Sequence, residues 1–115
     1  MARIDIHIKR CHEQVLKDIE ATKAEGEVAP DGVNVVSYYV GGEEDYRFYF
    51  RFVATKPIFQ GKNGRKTKTQ HLGDSESLRV DLAIDAVKRR KKIKALEKLS
   101  VQMEKTLHEL ESIAR

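Results

Sequence analysis

Residues 45–54, DYRFYFRFVA, alternate between two sets of side chains along the whole stretch. This period of two places successive residues on opposite faces of an extended strand and fits no face of a helix. One face carries Tyr46, Phe48, Phe50 and Phe52, and the other carries Arg47, Tyr49, Arg51 and Val53. An aromatic face needs a core to cover it and a single strand needs neighbours, so the chain must build a sheet that packs on one side.

A second strand precedes the first, because residues 33–40 (VNVVSYYV) are rich in β-branched and aromatic side chains. A turn at residues 30–32 comes before it, and residues 41–44 form the loop between the two strands. We predict an antiparallel hairpin in which Val40 pairs with Asp45, since this register puts both apolar sides on one face. The other predicted pairs are Tyr39 with Tyr46, Ser37 with Phe48, Val35 with Phe50, Val33 with Phe52, Tyr38 with Arg47, Val36 with Tyr49 and Asn34 with Arg51.

A third strand is predicted over residues 65–72 (RKTKTQHL). Pro57 interrupts the sheet before it, with Ile58 and Phe59 in a connecting segment, and residues 61–64 (GKNG) form a flexible basic loop. In this strand Lys66 and Lys68 lie on the outer face beside the arginines of the preceding strand, and His71 lies on the opposite face.

The N-terminal residues show helical periodicity, which predicts a helix over residues 3–25. Gly26 ends this helix, so the helical segment of the chain is residues 1–26. Its apolar stripe, which includes the lone cysteine as a small core residue, is Ile4, Ile8, Cys11, Val15, Ile19 and Thr22. Ile4, Ile6 and Ile8 also alternate, so a short strand over residues 3–9 stays open.

Residues 75–114 contain neither glycine nor proline, which predicts one long helix capped by Asp74 or Ser75. Apolar residues recur along it with heptad spacing, which indicates a seam for another helix. The first helix covers only part of this length, so the rest is a candidate homodimer interface, with Ile93, Leu96, Met103, Leu107 and Leu110 as its contacts. Together the segments predict a single α+β domain over residues 1–115, with a helix, an antiparallel sheet over 33–72 and a long C-terminal helix.

Charge is unevenly distributed along the 115 residues, although the net charge is only +4. Residues 56–94 hold 12 Lys and Arg against 4 Asp and Glu, or +8, while residues 1–55 sum to −3 and residues 95–115 to −1. A concentrated basic block creates a field that attracts polyanions. A single cysteine, the absence of a signal peptide and the absence of a long apolar run predict a cytoplasmic protein with no membrane partner.

The densest part of this block is residues 88–94 (KRRKKIK). Its cations are either a solvated helix face or contacts to nucleic-acid phosphates, which Lys and Arg neutralise with release of counterions. The candidate phosphate contacts here are Lys88, Arg89, Arg90, Lys91, Lys92 and Lys94, joined by Lys62 and Arg65 from the basic loop.

The outer sheet face is the second candidate surface, and its residues are Tyr38, Arg47, Tyr49, Arg51, Lys66 and Lys68. Such cross-strand pairs also occur as ordinary surface contacts. As a binding surface, the arginines match the acceptors of guanine in the major groove, or the tyrosines stack on unpaired bases. No spacing among the histidines and Cys11 indicates a metal site, and no phosphate-binding loop precedes a helix, so we predict no cofactor and no enzyme activity.

From residue 46 to about residue 94 the chain resembles the small DNA-binding domains at the N-termini of phage-type tyrosine recombinases and their relatives. The shared features are the aromatic and arginine-rich strand, the GKNGRK turn at residues 61–66 and a polar strand that closes with His71-Leu72-Gly73 before a helix. The resemblance implies a three-stranded sheet whose outer face enters the major groove. The tryptophan common in such sheets is absent here, and the helix is longer. The segment also resembles small uncharacterised cyanobacterial proteins, which imply no function.

These features lead to the hypothesis of a non-enzymatic nucleic-acid-binding protein, a small regulator or mobile-element accessory factor that binds DNA rather than RNA. The rival hypothesis is a coiled-coil adaptor that binds protein through Met103, Leu107 and Leu110. A small-molecule-binding module is a third.

Overall fold

A computed structural model describes residues 2–42 and 46–114. Helix α1 spans Ala2–Ala24 and helix α2 spans Leu78–Ala114. Strands β1 (Val33–Gly41), β2 (Tyr46–Ala54) and β5 (Thr69–Asp74) form an antiparallel sheet in the order β1-β2-β5, and strands β3 (Phe59–Gln60) and β4 (Lys66–Thr67) pair separately. The predicted α+β fold is confirmed. Residues 3–9, for which a strand was the alternative, belong to α1.

The chain divides into two compact units. The sheet unit is Val28–Arg90, and the helical unit combines the residues of α1, up to Glu27, with the residues from Lys91 onward. Helix α2 therefore contributes its first third to the sheet unit and the remainder to the helical unit. No helix among the described residues is both long and apolar enough to cross a membrane.

In the helical unit, α1 and the C-terminal part of α2 pack in antiparallel fashion. Val15 and Ile19 contact Ile93, which is only 5% exposed. Leu96 and Met103 pack against the same cluster. One face of α2 from Ile93 to Met103 is thus covered by α1 of the same chain. The prediction that Ile93 contacts a second copy is therefore wrong, because this side chain is buried within the chain. Leu96 and Met103, which were predicted to make the same contact, are half-buried against the same cluster.

Leu107 and Leu110, the other two predicted interface residues, are half-buried. At the start of α1 the predicted stripe is less covered than expected, because Ile4 is exposed and Cys11 is half-exposed rather than a core residue. Farther along the stripe, Thr22 is fully buried and its hydroxyl donates to the carbonyl of Asp18 at 2.7 Å, which satisfies this buried polar group.

In the sheet unit, the N-terminal part of α2 covers one face of the larger sheet. Val80 and Ala83 of α2 contact Leu72 of β5, with Val35, Phe50 and Phe52 packed against them. These aromatic and β-branched residues belong to the side of the hairpin that the alternation assigned to the core. We call this side the covered face and the opposite side the open face.

The hairpin forms with the predicted faces but with a register displaced by two residues. Val35 lies opposite Phe52, Ser37 opposite Phe50 and Tyr39 opposite Phe48. A shift of two residues keeps every side chain on its face, so hydrophobic alternation cannot distinguish the two registers. The structure pairs Gly41 with Tyr46, and four residues separate the paired strands in either register, so the length of the connection does not distinguish them either. Loop residues 43–45, including the predicted partner Asp45, lie outside the described residues.

The third strand differs from the prediction at both ends. Lys66 and Thr67 pair with Gln60 and Phe59, and β5 starts only at Thr69. The GKNG segment contains a tight 3₁₀ turn rather than a flexible loop, because Arg65 donates its amide hydrogen to the carbonyl of Lys62 at 3.3 Å. Gly61 donates to the carbonyl of Arg65 at 2.8 Å, which closes the small hairpin. The ring of Phe59 stacks on Phe52 at 5.8 Å, which anchors this small hairpin to the aromatic core.

A β-bulge in β5 sets which of its residues reach the open face. Gly73 lies opposite Phe50, but the next partner pair is His71 with Arg51, so Leu72 is the extra residue. Leu72 enters the core and His71 joins the open face, where the prediction had it on the opposite side. Gly73 has a φ of +131°, and a Cβ there would lie 2.9 Å from the Cβ of Ser77, so the bulge requires glycine.

Helix α2 starts at Leu78 rather than at Ser75. The carboxylate of Asp74 accepts the amide hydrogen of Glu76 at 3.0 Å, and its carbonyl accepts that of Ser77 at 3.1 Å. The predicted caps, Asp74 and Ser75, therefore belong to a turn that precedes the helix. The carbonyl of Ser77 accepts the first helical hydrogen bond, from the amide of Val80 at 3.1 Å.

The guanidinium of Arg90 holds the start of β1 against α2. It is 9% exposed and donates to the carbonyl of Pro30 at 2.7 Å, to the carbonyl of Val33, and to the side-chain oxygen of Asn34 at 2.9 Å. A buried cation is costly unless hydrogen bonds replace its hydration, and three acceptors do so here. Ala29 adds a bond from its amide to the carbonyl of Ala86 at 3.1 Å.

Replacing Arg90 with methionine tests this role. We expect the free energy of unfolding to fall by about 2–4 kcal/mol, because the acceptors lose a charged donor and the Val33 carbonyl stays buried. Lys91→Met removes an exposed cation from the next position and should change stability by less than about 0.5 kcal/mol. Urea unfolding followed by circular dichroism measures both, and equal effects of the two variants would contradict the assignment.

Candidate nucleic-acid interface

The open face of the sheet carries a cluster of four side chains from three strands. Tyr38 comes from β1, Tyr49 and Arg51 from β2, and His71 from β5. The register places Tyr38 directly opposite Tyr49, and Arg51 directly opposite His71. We call these four residues the open-face cluster.

The cluster is held together by contacts among its own members. The hydroxyl of Tyr38 lies 2.8 Å from Nδ1 of His71, and Cζ of Arg51 lies 4.9 Å from the centre of the Tyr38 ring. The Tyr49 ring lies 6.0 Å from Tyr38 and 5.7 Å from His71, centre to centre. A guanidinium over a tyrosine ring is attracted by the ring's negative face, which restricts its orientation. Arg51 is therefore an oriented cation on an exposed surface.

Nothing among the core clusters of the described residues includes a side chain from this face. Arg51, Arg47 and His71 are exposed, and the two tyrosines are half-buried by one another and by their neighbours. Val36 on the same face is also exposed. The open face thus offers cations and aromatic rings together with a flat, uncovered backbone.

The predicted partners from the third strand do not join this cluster. Lys66 belongs to β4, in the small separate sheet, and Lys68 lies in a bend between β4 and β5. The carbonyl of Lys68 accepts the amide hydrogen of Ala54 at 2.7 Å, so its backbone continues the sheet although its residue is not part of β5. The prediction that these lysines line the outer sheet face is wrong, because the strand bends at this point and then bulges.

The small hairpin presents the lysines instead. Lys62 begins the 3₁₀ turn, Arg65 ends it, Lys66 and Lys68 follow, and all four side chains are exposed. Asn63 has a φ of +60°, a conformation that asparagine tolerates better than most residues, so the turn is compatible with its sequence. The sheet unit therefore has a second basic surface, which we call the basic hairpin (residues 59–68).

The basic run of α2 is heterogeneous. Lys88, Lys91, Lys92 and Lys94 are exposed, Arg89 is half-buried, and Arg90 is buried in its hydrogen-bonded site. The prediction that Arg90 contacts phosphate is therefore wrong, since its donors are used within the sheet unit. The composition of the run does not distinguish the buried Arg90 from its exposed neighbours. Its position three residues after Val87, on the same helix face as that buried residue, is a weak sequence signal for its burial.

The helical unit contains a polar cluster and a groove. Nε2 of His12 lies 2.8 Å from Oγ of Ser100 and 3.5 Å from a carboxylate oxygen of Glu104. Since both partners meet the same ring nitrogen, this is not the relay of a nucleophilic triad, in which the acid contacts the other nitrogen. A mainly apolar groove of about 320 Å³ is lined by His7, Ile8, Cys11, Gln102, Met103 and Thr106.

Metal binding has no candidate cluster in the described part of the chain, where no three His, Cys, Asp or Glu residues converge. Cys11 has one neighbour of this kind, with its Sγ 3.8 Å from Nε2 of His7. Comparison of the chain with protein-family models, with curated proteins and with solved structures found no match. The resemblance to recombinase DNA-binding domains stays a prediction.

A double-mutant cycle tests whether the open-face cluster is coupled. Tyr38→Phe keeps the ring under Arg51 but removes the hydroxyl, and His71→Ala removes its partner. We expect a coupling free energy of about 0.5–1 kcal/mol between the two changes, the value of one partly exposed hydrogen bond. Tyr49→Phe with His71→Ala is the matched control, because no hydrogen bond of the Tyr49 hydroxyl joins it to His71. Equal coupling in both cycles would contradict the assignment.

Proposed function

We propose that this protein binds double-stranded DNA without catalysis, as a small DNA-binding regulator or accessory factor. The observation that carries the proposal is the open face of the sheet, where Arg51 is oriented by Tyr38 on a surface that the core leaves uncovered. An antiparallel sheet that is solvated on one side is suited to lie against another macromolecule.

The state of the two tyrosines favours a duplex over a single strand. Tyr38 has Arg51 over its ring and Tyr49 beside it, and Tyr49 also lies near His71. Base stacking on a protein needs an accessible ring face, and these rings are already in contact with their neighbours. A guanidinium that projects from the sheet is suited to the acceptors of guanine in the major groove.

Phosphate contacts would come from the exposed cations outside the cluster. In the sheet unit these are Arg47 together with the basic hairpin, and on α2 they are Lys88, Lys91, Lys92 and Lys94, to which the half-buried Arg89 is added. Each contact of this kind releases counterions, so affinity should fall steeply with salt. The +8 charge of residues 56–94 supports an anionic partner, although Arg79 and Arg90 of that block also donate hydrogen bonds within the fold.

The adaptor hypothesis keeps one supporting observation. Leu99, Val101 and Ile113 of α2 are exposed apolar side chains beside the half-buried Leu107 and Leu110. A protein partner would cover them. This function predicts that nucleic-acid binding is absent even at low salt.

A titration of labelled mixed-sequence duplex tests the leading proposal. We expect binding that weakens by at least about tenfold between about 50 and 200 mM salt. Arg47→Ala combined with Arg51→Ala should weaken it by about tenfold or more at fixed salt, the effect of losing two cationic contacts. Lys98→Ala with Lys105→Ala removes the same charge from exposed positions of the helical unit and should have little effect.

Three results would contradict the proposal. Absence of binding to duplex at the lower salt concentration would remove it altogether. Equal losses for the arginine pair and for the control pair would show attraction by overall charge, with no role for the open face. Stronger binding to a single strand of the same sequence would replace the duplex as the ligand.

A further inference from the structure

Strand β1 is an edge of the sheet, since among the described strands it pairs with β2 alone. In an antiparallel pair, the residues of an edge strand alternate between bonding to the neighbour and directing both backbone groups outward. Which residues of β1 point outward can be determined from its first residue. That edge is a template on which another extended chain can pair.

Val33 directs its backbone groups away from β2. Its amide hydrogen goes to the carbonyl of Pro30 at 3.3 Å, and its carbonyl accepts from Arg90. Its opposite residue, Ala54, likewise donates to Lys68 on the other side. The pair Val33–Ala54 is therefore not hydrogen-bonded, and by alternation Val35 and Ser37 also direct their amides and carbonyls to the edge.

Arg90 satisfies outward backbone groups only at the start of the β1 edge. Its guanidinium satisfies Val33 and reaches Asn34, and no comparable group serves Val35 or Ser37 among the described residues. The usual protections of an edge strand are charged side chains, proline, a bulge or shortness. The nine residues of β1 include no charged residue and no proline, and their pairing with β2 runs without a bulge. The opposite edge strand, β5, is shorter and bulged.

We propose that β1 pairs with β1 of a second copy of this chain, in antiparallel orientation, to give a continuous six-stranded sheet. The occupant follows from charge and symmetry. Residues 33–42 are ten consecutive residues without a formal charge in a chain of net +4, so neither copy of β1 brings a charge of its own to the pairing. An antiparallel pair of identical strands is self-complementary about a two-fold axis, which is the symmetry of most dimers.

The pairing has a definite centre. Because Arg90 occupies the edge at Val33, the proposed pairing uses the part of β1 from Val35 to Gly41, whose midpoint is Tyr38. The two-fold axis is then normal to the sheet beside Tyr38, and it keeps the same face of both copies on one side. The exposed side chains of Val36 and Val40 lie opposite each other across this axis and become covered. The two open-face clusters share one surface.

This dimer does not depend on the proposed function, since it forms without nucleic acid. It would supply a DNA-binding protein with two copies of the open-face cluster related by two-fold symmetry, which suits a palindromic site. It also differs from the helix-mediated dimer predicted from the heptads, whose residue Ile93 is covered by α1.

Sedimentation equilibrium of the full chain, free of nucleic acid, tests the proposal with three substitutions at one position. We expect the unmodified chain to reach twice the monomer mass at about 100 μM. Ser37→Pro removes one outward amide hydrogen and no bond to β2, so it should give a monomer with an unchanged circular dichroism spectrum. Ser37→Ala keeps the amide and should stay dimeric.

Ser37→Lys is the second route, should the proline variant lose its fold. It brings a charge from each copy to the centre of the pairing while leaving the backbone intact, and it should shift the dissociation constant upward by at least about tenfold. A chain that is monomeric at the highest concentration overturns the proposal. So does a dimer that persists in both the proline and the lysine variant, and so does binding of a foreign extended peptide to β1 in place of self-association.

Discussion

The buried guanidinium of Arg90 is the interaction on which the arrangement of the sheet unit depends. It joins α2 to the segment that enters β1, by bonds to Pro30, Val33 and Asn34. With this contact in place, the helix lies over the covered face, and the start of β1 has its outward groups satisfied. The same cation explains why a run of six basic residues cannot be treated as one surface, since one of its members is part of the interior.

A single helix can cover only one face of a three-stranded sheet, and this geometric limit creates the candidate site. Phe50 and Phe52 of β2 pack at the interface with α2, while Arg47 and Arg51 on the open face are exposed. There the arginine, the tyrosines and His71 organise one another by ring contacts and a hydrogen bond instead of by burial. Their order is local and comes from the register of three strands. A surface of this kind is available for binding because the fold does not need it.

Much of this arrangement follows from the sequence, and the exceptions have physical causes. Alternation identified the faces of β1 and β2, but an even shift in register leaves alternation unchanged, so the pairs themselves could not be derived. The prediction places His71 on the wrong face, because the extra residue of a bulge exchanges the two faces for the residues beyond it. The sequence signal for this bulge is Gly73, which also stands directly before the predicted helix. The heptads of α2 predict a helical partner without saying whether it belongs to the same chain, and α1 of the same chain packs at Ile93, Leu96 and Met103.

Mapping by nuclear magnetic resonance tests the central claim, that the open face is the binding surface, most directly. With duplex DNA added to ¹⁵N-labelled protein, the largest amide shifts should fall on the open-face cluster and its strand neighbours, including Tyr38, Tyr49, Arg51 and His71. Amides of α1, from Ile4 to Ile19, should move little. Shifts confined to the helical unit, or spread evenly over every exposed lysine, would contradict the account.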